Sequence, residues 1–402
     1  MVEHYDVIVV GGGPAGLSAA SAAASKGGKV LLLELQAQIG GQTQSVAWLP
    51  KEIVKRELKR SIASEVEEVV LHSPHRRVGI SGSYGVIVDR RLFDKLLAVQ
   101  AVSSGAEIWI SSPVKDLLKN DGTVRGVCAE AGSWSERLEC EIVIDATGMS
   151  GRWSGLFLRE ILGRKWDKER LVLSNEYLMA NAETEKRVRL FFSSYFAPMG
   201  YAWIFPFGKY LAMIGIRGVR IHPDAALDEF IGRQELPGLE KALPIAAFRR
   251  QLPLENWIKQ THSDGILAVG GAAGQIYPVS GHGIKYSLRC GEIAGEVAVE
   301  AVSEGDPSSE FLEEYDRKWR SEFGKELQIG RMLHSWLQTS PDKKTDALFS
   351  AMTNDIELQR DFLGVFLPFE LEKHLKRFLS NDKVQKIFGQ NNTDKALVTY
   401  FS

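Results

Sequence analysis

The chain has 402 residues, more than one average hydrophobic core supports, so two interleaved domains are expected. Apolar residues make up 44% and charged residues 25%, ordinary globular values, and 49 basic against 51 acidic side chains leave no electrostatic footprint for nucleic acid. Cys128, Cys140 and Cys290 lie far apart without CxxC spacing, which excludes a zinc or four-thiolate cluster site, predicts no metal and fits a reducing cytosol.

The N-terminus carries acidic Glu3 and Asp6 where a signal peptide would be positive, and no uninterrupted apolar run of about 18 residues occurs anywhere. A cytoplasmic protein is expected. The first predicted elements are a strand at residues 7–10, a glycine turn, an Ala-rich helix at 17–25 and a second strand at 30–33. The turn fits GxGxxG. Gly11 allows the reversal, Gly13 lets the backbone approach a pyrophosphate, and Gly16 lets helix and strand close on each other. Pro14 and Ala15 open a helix whose free N–H groups would face the anion. Glu34 ends the second strand, where a carboxylate can hold ribose hydroxyls, with Leu35 beside it.

Further along, VDRRLFDKLL sets Arg90, Phe93 and Asp94 at RxxFD spacing. IVIDATG, residues 142–148, reads as an apolar strand ending in a turn of Ala146, Thr147 and Gly148. Beyond it RVRLFFSSYF, YAWIFPFG and YLAMIGIRG alternate with period 2, which predicts an inserted antiparallel sheet. In GYAWIFPFG the alternation puts Tyr201, Trp203 and Phe205 on one face and Ala202, Ile204 and Pro206 on the other. Pro206 cannot donate to a ladder, so the strand ends there or lies at an edge. Such an aromatic face is either core or the wall of an apolar pocket.

Residues 265–302 read as a third strand, a glycine-rich loop containing Gly271 and Gly281, and a long helix from about Gly283 and Ile284. From Pro307 the chain is mostly helical. Phe311, Tyr315, Trp319 and Phe323 recur every four residues, a stripe expected to pack on the inserted sheet. FLGVFLPFELEKHLKRFL, residues 362–379, with Lys373, Lys376 and Arg377, fits a core-facing helix, a cover over the pocket mouth, or a rest on a membrane interface.

Three returns to a dinucleotide, at residues 11, 148 and 271, resemble the flavoproteins of the aromatic hydroxylase type, which implies FAD. The fold class expected is therefore α/β. An FAD-binding Rossmann-like domain at residues 1–165 and 262–305 receives an antiparallel-sheet substrate domain at 166–261, and a helical region follows at 306–402. The resemblance sets Arg90 beside the flavin and adds Gly41, Gln42, Thr43 and Val114 as cofactor contacts. It also points the helix from Gly283 at the pyrimidine side of the ring, where its positive end would stabilise the anionic reduced flavin. A solvated arginine at a helix start and an ordinary capped helix are the plainer alternatives.

The strand Tyr201-x-Trp203-x-Phe205-Pro206-x-Gly208, with GGGPAG, DRRLFD, PVSGHGI and EYDRKWRSEFGKEL, resembles the geranylgeranyl reductase family over residues 1–335. Members reduce isolated double bonds of polyprenyl chains in archaeal lipids, in the phytyl tail of chlorophyll or in quinone side chains. The resemblance implies a hydride from flavin N5 to one alkene carbon and a proton to the other. Tyr201, Trp203, Phe205 and Pro206 would bind the chain, and Tyr201, His282 and Tyr286 are the candidate proton donors. No second GxGxxG appears, so electrons come from an external donor: ferredoxin, reduced nicotinamide or reduced deazaflavin.

The chain departs from that pattern in three places. Archaeal members commonly carry a cysteine in the loop after the second strand, whereas IGGQTQS, residues 39–45, has none and offers Gln42 or Thr43. Gly271 stands where an Asp usually precedes AAG, and Thr147 stands where hydroxylases have Asp. A flavin monooxygenase or halogenase, and a flavoprotein that binds lipid without turnover, are the competing readings.

Overall fold

The computed structural model describes residues 4–41, 46–131, 134–149, 154–167, 169, 171–233, 236–253, 258–337 and 341–401. The N-terminal apolar run forms strand β1 (His4–Val10), the Ala-rich segment helix α1 (Pro14–Ser25), and the next run strand β2 (Val30–Leu33). There follow β3 (Val46–Leu49), β4 (Ile62–Glu65), β5 (Glu68–His72), β6 (Arg77–Ser81), β7 (Val86–Asp89) and helix α2 (Arg90–Ser103). Four more strands, β8 (Glu107–Trp109), β9 (Val114–Asn120), β10 (Thr123–Ala131) and β11 (Trp134–Asp145), lead out of this half.

β1 lies between β11 and β2, parallel to both, with Val7 opposite Ile142 and Val30. A strand covered on both faces needs apolar side chains at successive positions, and Val7, Ile8 and Val9 are fully buried. The sheet continues through β17 (His262–Ser263) and β18 (Ile266–Ala268) on the β11 side and β8 on the other, with β9 and β10 added antiparallel beyond β11. Helix α4 (Ile284–Glu304) packs along α1 so closely that side chains at Gly291 and Gly295 would strike the carbonyls of Ala15 and Ala19, at 2.2 and 2.3 Å. Small residues on both helices permit this approach, and it brings both N-termini to one cavity.

The inserted sheet holds β12 (Val172–Ala180), β13 (Arg187–Phe191), β14 (Tyr201–Pro206), β15 (Leu211–Val219) and β16 (Leu243–Leu252), with helix α3 (Pro223–Arg233) against one face. Its order is β16-β12-β15-β14-β13-β5-β6, so two of its seven strands come from residues 68–81 rather than from 166–261. β13 recruits β5 by parallel pairing, Arg187 opposite Glu68, a long-range contact that no local pattern announces. A smaller sheet, β3-β7-β4, closes one side of the cavity. β14 is central, so Pro206 marks the strand's end and not a sheet edge.

Helix α5 (Ser309–Trp336) carries the Phe311, Tyr315, Trp319 and Phe323 stripe, but its first half packs on α4 and β17 instead of on the inserted sheet. Phe323 meets Tyr286 at 5.2 Å, and in the last turn His334 bonds the Met199 carbonyl at 3.1 Å. Beyond lie α6 (Pro341–Met352), α7 (Ile356–Phe366), α8 (Leu371–Ser380), α9 (Asp382–Phe388) and α10 (Gln390–Phe401). Phe362, Phe366, Leu375, Phe378 and Leu379 are buried while Lys373, Lys376 and Arg377 are exposed, so 362–379 turns its apolar face to the core. Among the described residues no helix is long and apolar enough to cross a membrane.

Candidate active site

A cavity of about 350 Å³ runs from the β1–α1 turn, between the two sheets, to the start of α4. At one end it is made of backbone. Gly13 caps α1 without a side-chain bond, and a side chain at Gly13 would meet nothing within 4 Å, so that position opens onto the cavity. The first-turn amides of α1 have no intrahelical acceptor and face the same space. Glu34 accepts from Gly12 N at 2.7 Å and from Gln36 N at 2.8 Å, and burial raises its pKa against those two bonds. Gly16 does not line the cavity. A Cβ there would lie 1.9 Å from the Gly11 carbonyl, so its smallness serves the helix–strand contact.

Leu35, Val114, Ala146, Thr147, Gly148, Gly271, Gly281, Gly283 and Ile284 all line the cavity, as do Gly11, Pro14 and Ala15. Thr147 donates to Asp145 at 2.6 Å and accepts from Gly155 N at 2.7 Å, so it fixes the turn. Arg90 reaches the cavity wall, 6% exposed, and is held by two 2.9 Å bonds to Asp94 one helical turn on, which accounts for the RxxFD spacing. Gly41 is buried beside Gln36 and does not line the cavity. Gln42 and Thr43 lie outside the described residues.

The other end is made of side chains. Tyr201, Trp203 and Phe205 project from β14 into the cavity, with ring centroids 5.6 and 6.0 Å apart along the strip, and Trp48 of β3 meets Phe205 at 6.0 Å from the facing wall. Trp203 stands opposite Gly215 on β15, and a Cβ at 215 would lie 2.3 Å from the indole, so the glycine is what lets the ring lie across the strand. The indole N–H of Trp203 has no acceptor among the described residues. Pro206 falls on the opposite face with Ala202 and Ile204 and is absent from the cavity wall, which removes it from the predicted chain contacts.

Of the three candidate proton donors, two reach the cavity. The Tyr201 hydroxyl donates to the Ser280 carbonyl at 2.7 Å, and burial raises its pKa although Arg217 opposes the shift. His282 bonds the Trp48 carbonyl through Nε2 at 2.9 Å and Ser280 Oγ through Nδ1 at 2.7 Å. Since a carbonyl only accepts, Nε2 carries the proton and Nδ1 accepts from the serine. Desolvation lowers its pKa to about 4, so it is neutral and locked near pH 7. Tyr286 is a correction. Its side chain is fully buried between α4 and α5, donating to Glu326 at 2.9 Å, and does not line the cavity.

The sequence reading overlooked a group of charges on the inserted sheet. Ser174, Glu176, Arg217 and Arg250 line the cavity beside the aromatic strip, and the three charged residues are at most intermediate in exposure. Desolvation lowers the pKa values of both arginines. The available signal was an arginine inside an otherwise apolar strand, YLAMIGIRG, since such a residue is rarely buried without a task.

A dinucleotide fits these residues. The open position at Gly13, the free amides of α1 and the carboxylate of Glu34 suit a pyrophosphate and a ribose, and at the far end the Trp203 indole N–H and Arg217 Nε are donors with no acceptor among the described residues. The profile of the FAD-dependent oxidoreductase family matches residues 6–151, and that of the geranylgeranyl reductase catalytic domain matches residues 172–248. A digeranylgeranylglycerophospholipid reductase of Methanopyrus kandleri is 33% identical over 394 residues, 94% of this chain and 96% of that protein. One from Methanocaldococcus jannaschii is 31% identical, covering 94% and 95%. Among solved structures, a geranylgeranyl bacteriochlorophyll reductase-like protein from Thermoplasma acidophilum superposes with a TM-score of 0.82 at 27% identity, over 96% of this chain and 98% of that one. A flavin-dependent brominase shares the fold, with a TM-score of 0.71 at 17% identity over 94% of this chain and 99% of its own.

Proposed function

The chain belongs to the geranylgeranyl reductase family of FAD-dependent oxidoreductases, and from that premise we propose that its substrate is a glycerophospholipid carrying two geranylgeranyl chains. It is an FAD-dependent reductase of polyprenyl chains, and the relatives' names supply the lipid class. The observation that carries the reading is one cavity with a dinucleotide cradle at one end and the Tyr201, Trp203, Phe205 strip at the other.

Reduced FAD supplies the hydride from its N5. The aromatic rings hold the prenyl chain with little loss of side-chain entropy and exclude water from the alkene. Their faces also favour positive charge developing on the alkene carbon that takes the hydride as its neighbour takes the proton. Tyr201 is the proposed bearer of that proton, since its hydroxyl is protonated at neutral pH and stands in the wall. His282 holds the Ser280–Gly283 loop against β3. Electrons enter from an external donor, ferredoxin, nicotinamide or deazaflavin, and the lipid is drawn from a membrane surface that the protein touches peripherally.

The test is anaerobic mixing of chemically reduced enzyme with a digeranylgeranylglycerol phospholipid. The expected result is flavin reoxidation with a mass gain of two hydrogens per saturated bond. Reoxidation that requires oxygen, with no gain in lipid mass, overturns the proposal.

A further inference from the structure

Arg217 of β15 is 3% exposed, yet its described partners are a carbonyl and a ring, with no carboxylate among them. Nη2 donates to the Val279 carbonyl at 2.9 Å, the guanidinium lies 4.3 Å from the Tyr201 ring, and Nε has no acceptor among the described residues. Arg90 in the same cavity shows the usual solution, a bidentate carboxylate. A buried cation without a counter-charge is costly, so a protein that keeps one meets an anion in its working state.

The position narrows the choice of anion. A side chain at Gly281 would come within 1.9 Å of Nη1, so Arg217 lies directly against the loop that delivers the N-terminus of α4 to the cavity. With pyrophosphate at Gly13 and ribose at Glu34, the remaining end of the dinucleotide extends toward this loop and the aromatic strip. A resident cofactor would keep acceptors beside a cation this enclosed throughout the cycle, carbonyl oxygens when the ring is oxidised and a negative charge when it is reduced, whereas a substrate phosphate would take every acceptor away on release.

We propose that Arg217 is the counter-charge for the isoalloxazine ring in its reduced state. Uptake of two electrons and one proton leaves the ring with one negative charge, and a fixed cation in a low-dielectric cavity favours that state over the neutral oxidised one. The proposal rests on FAD in the cavity and not on which chain is reduced.

The experiment compares FAD-loaded wild type, Arg217→Met and Arg217→Lys without prenyl substrate, measuring the two-electron midpoint potential and the affinity for sulfite, whose flavin adduct carries the same negative charge. Arg217→Met is expected to lower the reduction equilibrium at least about tenfold, roughly 30 mV for a two-electron couple, and to weaken sulfite binding at least as much, while Arg217→Lys stays near wild type. A wild-type potential and sulfite affinity in Arg217→Met overturn the proposal. So does a methionine variant whose only defect is a raised KM for geranylgeranyl phosphate and not for geranylgeraniol, which would assign Arg217 to a substrate phosphate. Should Arg217→Met fail to hold FAD, Arg217→Gln replaces it: a lowered potential beside a near-normal Arg217→Lys supports the proposal, and equal potentials overturn it. The potential and sulfite measurements need no prenyl turnover, so failure of the polyprenyl assignment leaves their result standing.

Discussion

At the Glu34 end of the cavity the groups that meet a ligand are amides of one short segment, the β1–α1 turn, helped by a single carboxylate. At the Trp203 end they are side chains from β3, β14, β15, β16 and the loop before α4. The first end is specified by consecutive residues and can form wherever a strand, a glycine turn and a helix occur in order. The second exists only when two sheets hold their registers, so one substitution there changes the reaction without touching the cofactor's anchor.

The substitution that tests this contrast most severely is Gly13→Asp. It sets a carboxylate and its bulk into the open space where the pyrophosphate belongs. The purified protein should be colourless and folded, with circular dichroism like wild type. A yellow, fully loaded variant would break the account of the backbone end.

Next in size is Trp203→Ala. Truncating a buried aromatic costs about 3–5 kcal/mol in a core, and a cavity wall should lose less in stability. The main loss should be turnover, because a mispositioned alkene lowers kcat as well as raising KM. Flavin content should stay near wild type. Anaerobic reoxidation by a prenyl substrate, read beside the thermal midpoint, separates the outcomes: unchanged reoxidation with a lower Tm makes Trp203 core alone.

His282 gives a smaller, pH-dependent effect. Its folded pKa is lowered from the ordinary 6.5 to about 4, so the unfolded chain binds the extra proton between those values. The stabilisation is complete above about pH 6.5 and is lost as pH falls toward 4, up to about 3 kcal/mol. Urea titrations across this window should show the difference between wild type and His282→Gln shrinking as pH falls. A difference independent of pH would mean that His282 holds the loop by packing alone.

Tyr286→Phe should do least. It removes one bond to Glu326, which keeps its 2.9 Å contact with Lys285, so about 1 kcal/mol of stability is at stake and turnover should be unchanged. A fall in kcat would bring Tyr286 back into the reaction.

The same contrast explains what could be read from the sequence. GGGPAG, Glu34 and the Arg90–Asp94 spacing act within a few residues or one helical turn, and the alternation of YAWIFPFG fixes which side chains share a face. Which face meets the cavity depends on neighbours. Alternation sets Pro206 opposite the aromatic strip, but nothing local decides that α4 packs on α5 and turns Tyr286 to Glu326. Trp48, Arg217 and Arg250 went unread because β3–β7 pairing and the β15 and β16 registers bring them to the site from distant segments. The β5–β6 hairpin joins the inserted sheet through β13, again a partner chosen over more than a hundred residues.

The aromatic strip is finished from behind by the C-terminal helices: Phe366 of α7 lies 5.5 Å from Tyr201, and Phe192 meets both. During synthesis the strip therefore leaves the ribosome long before the helix that covers its back. In that interval β14 presents uncovered rings to solvent, the kind of surface on which nascent chains associate. A stop codon ahead of α7 should accordingly yield aggregate, even though every residue of the dinucleotide cradle has already been made.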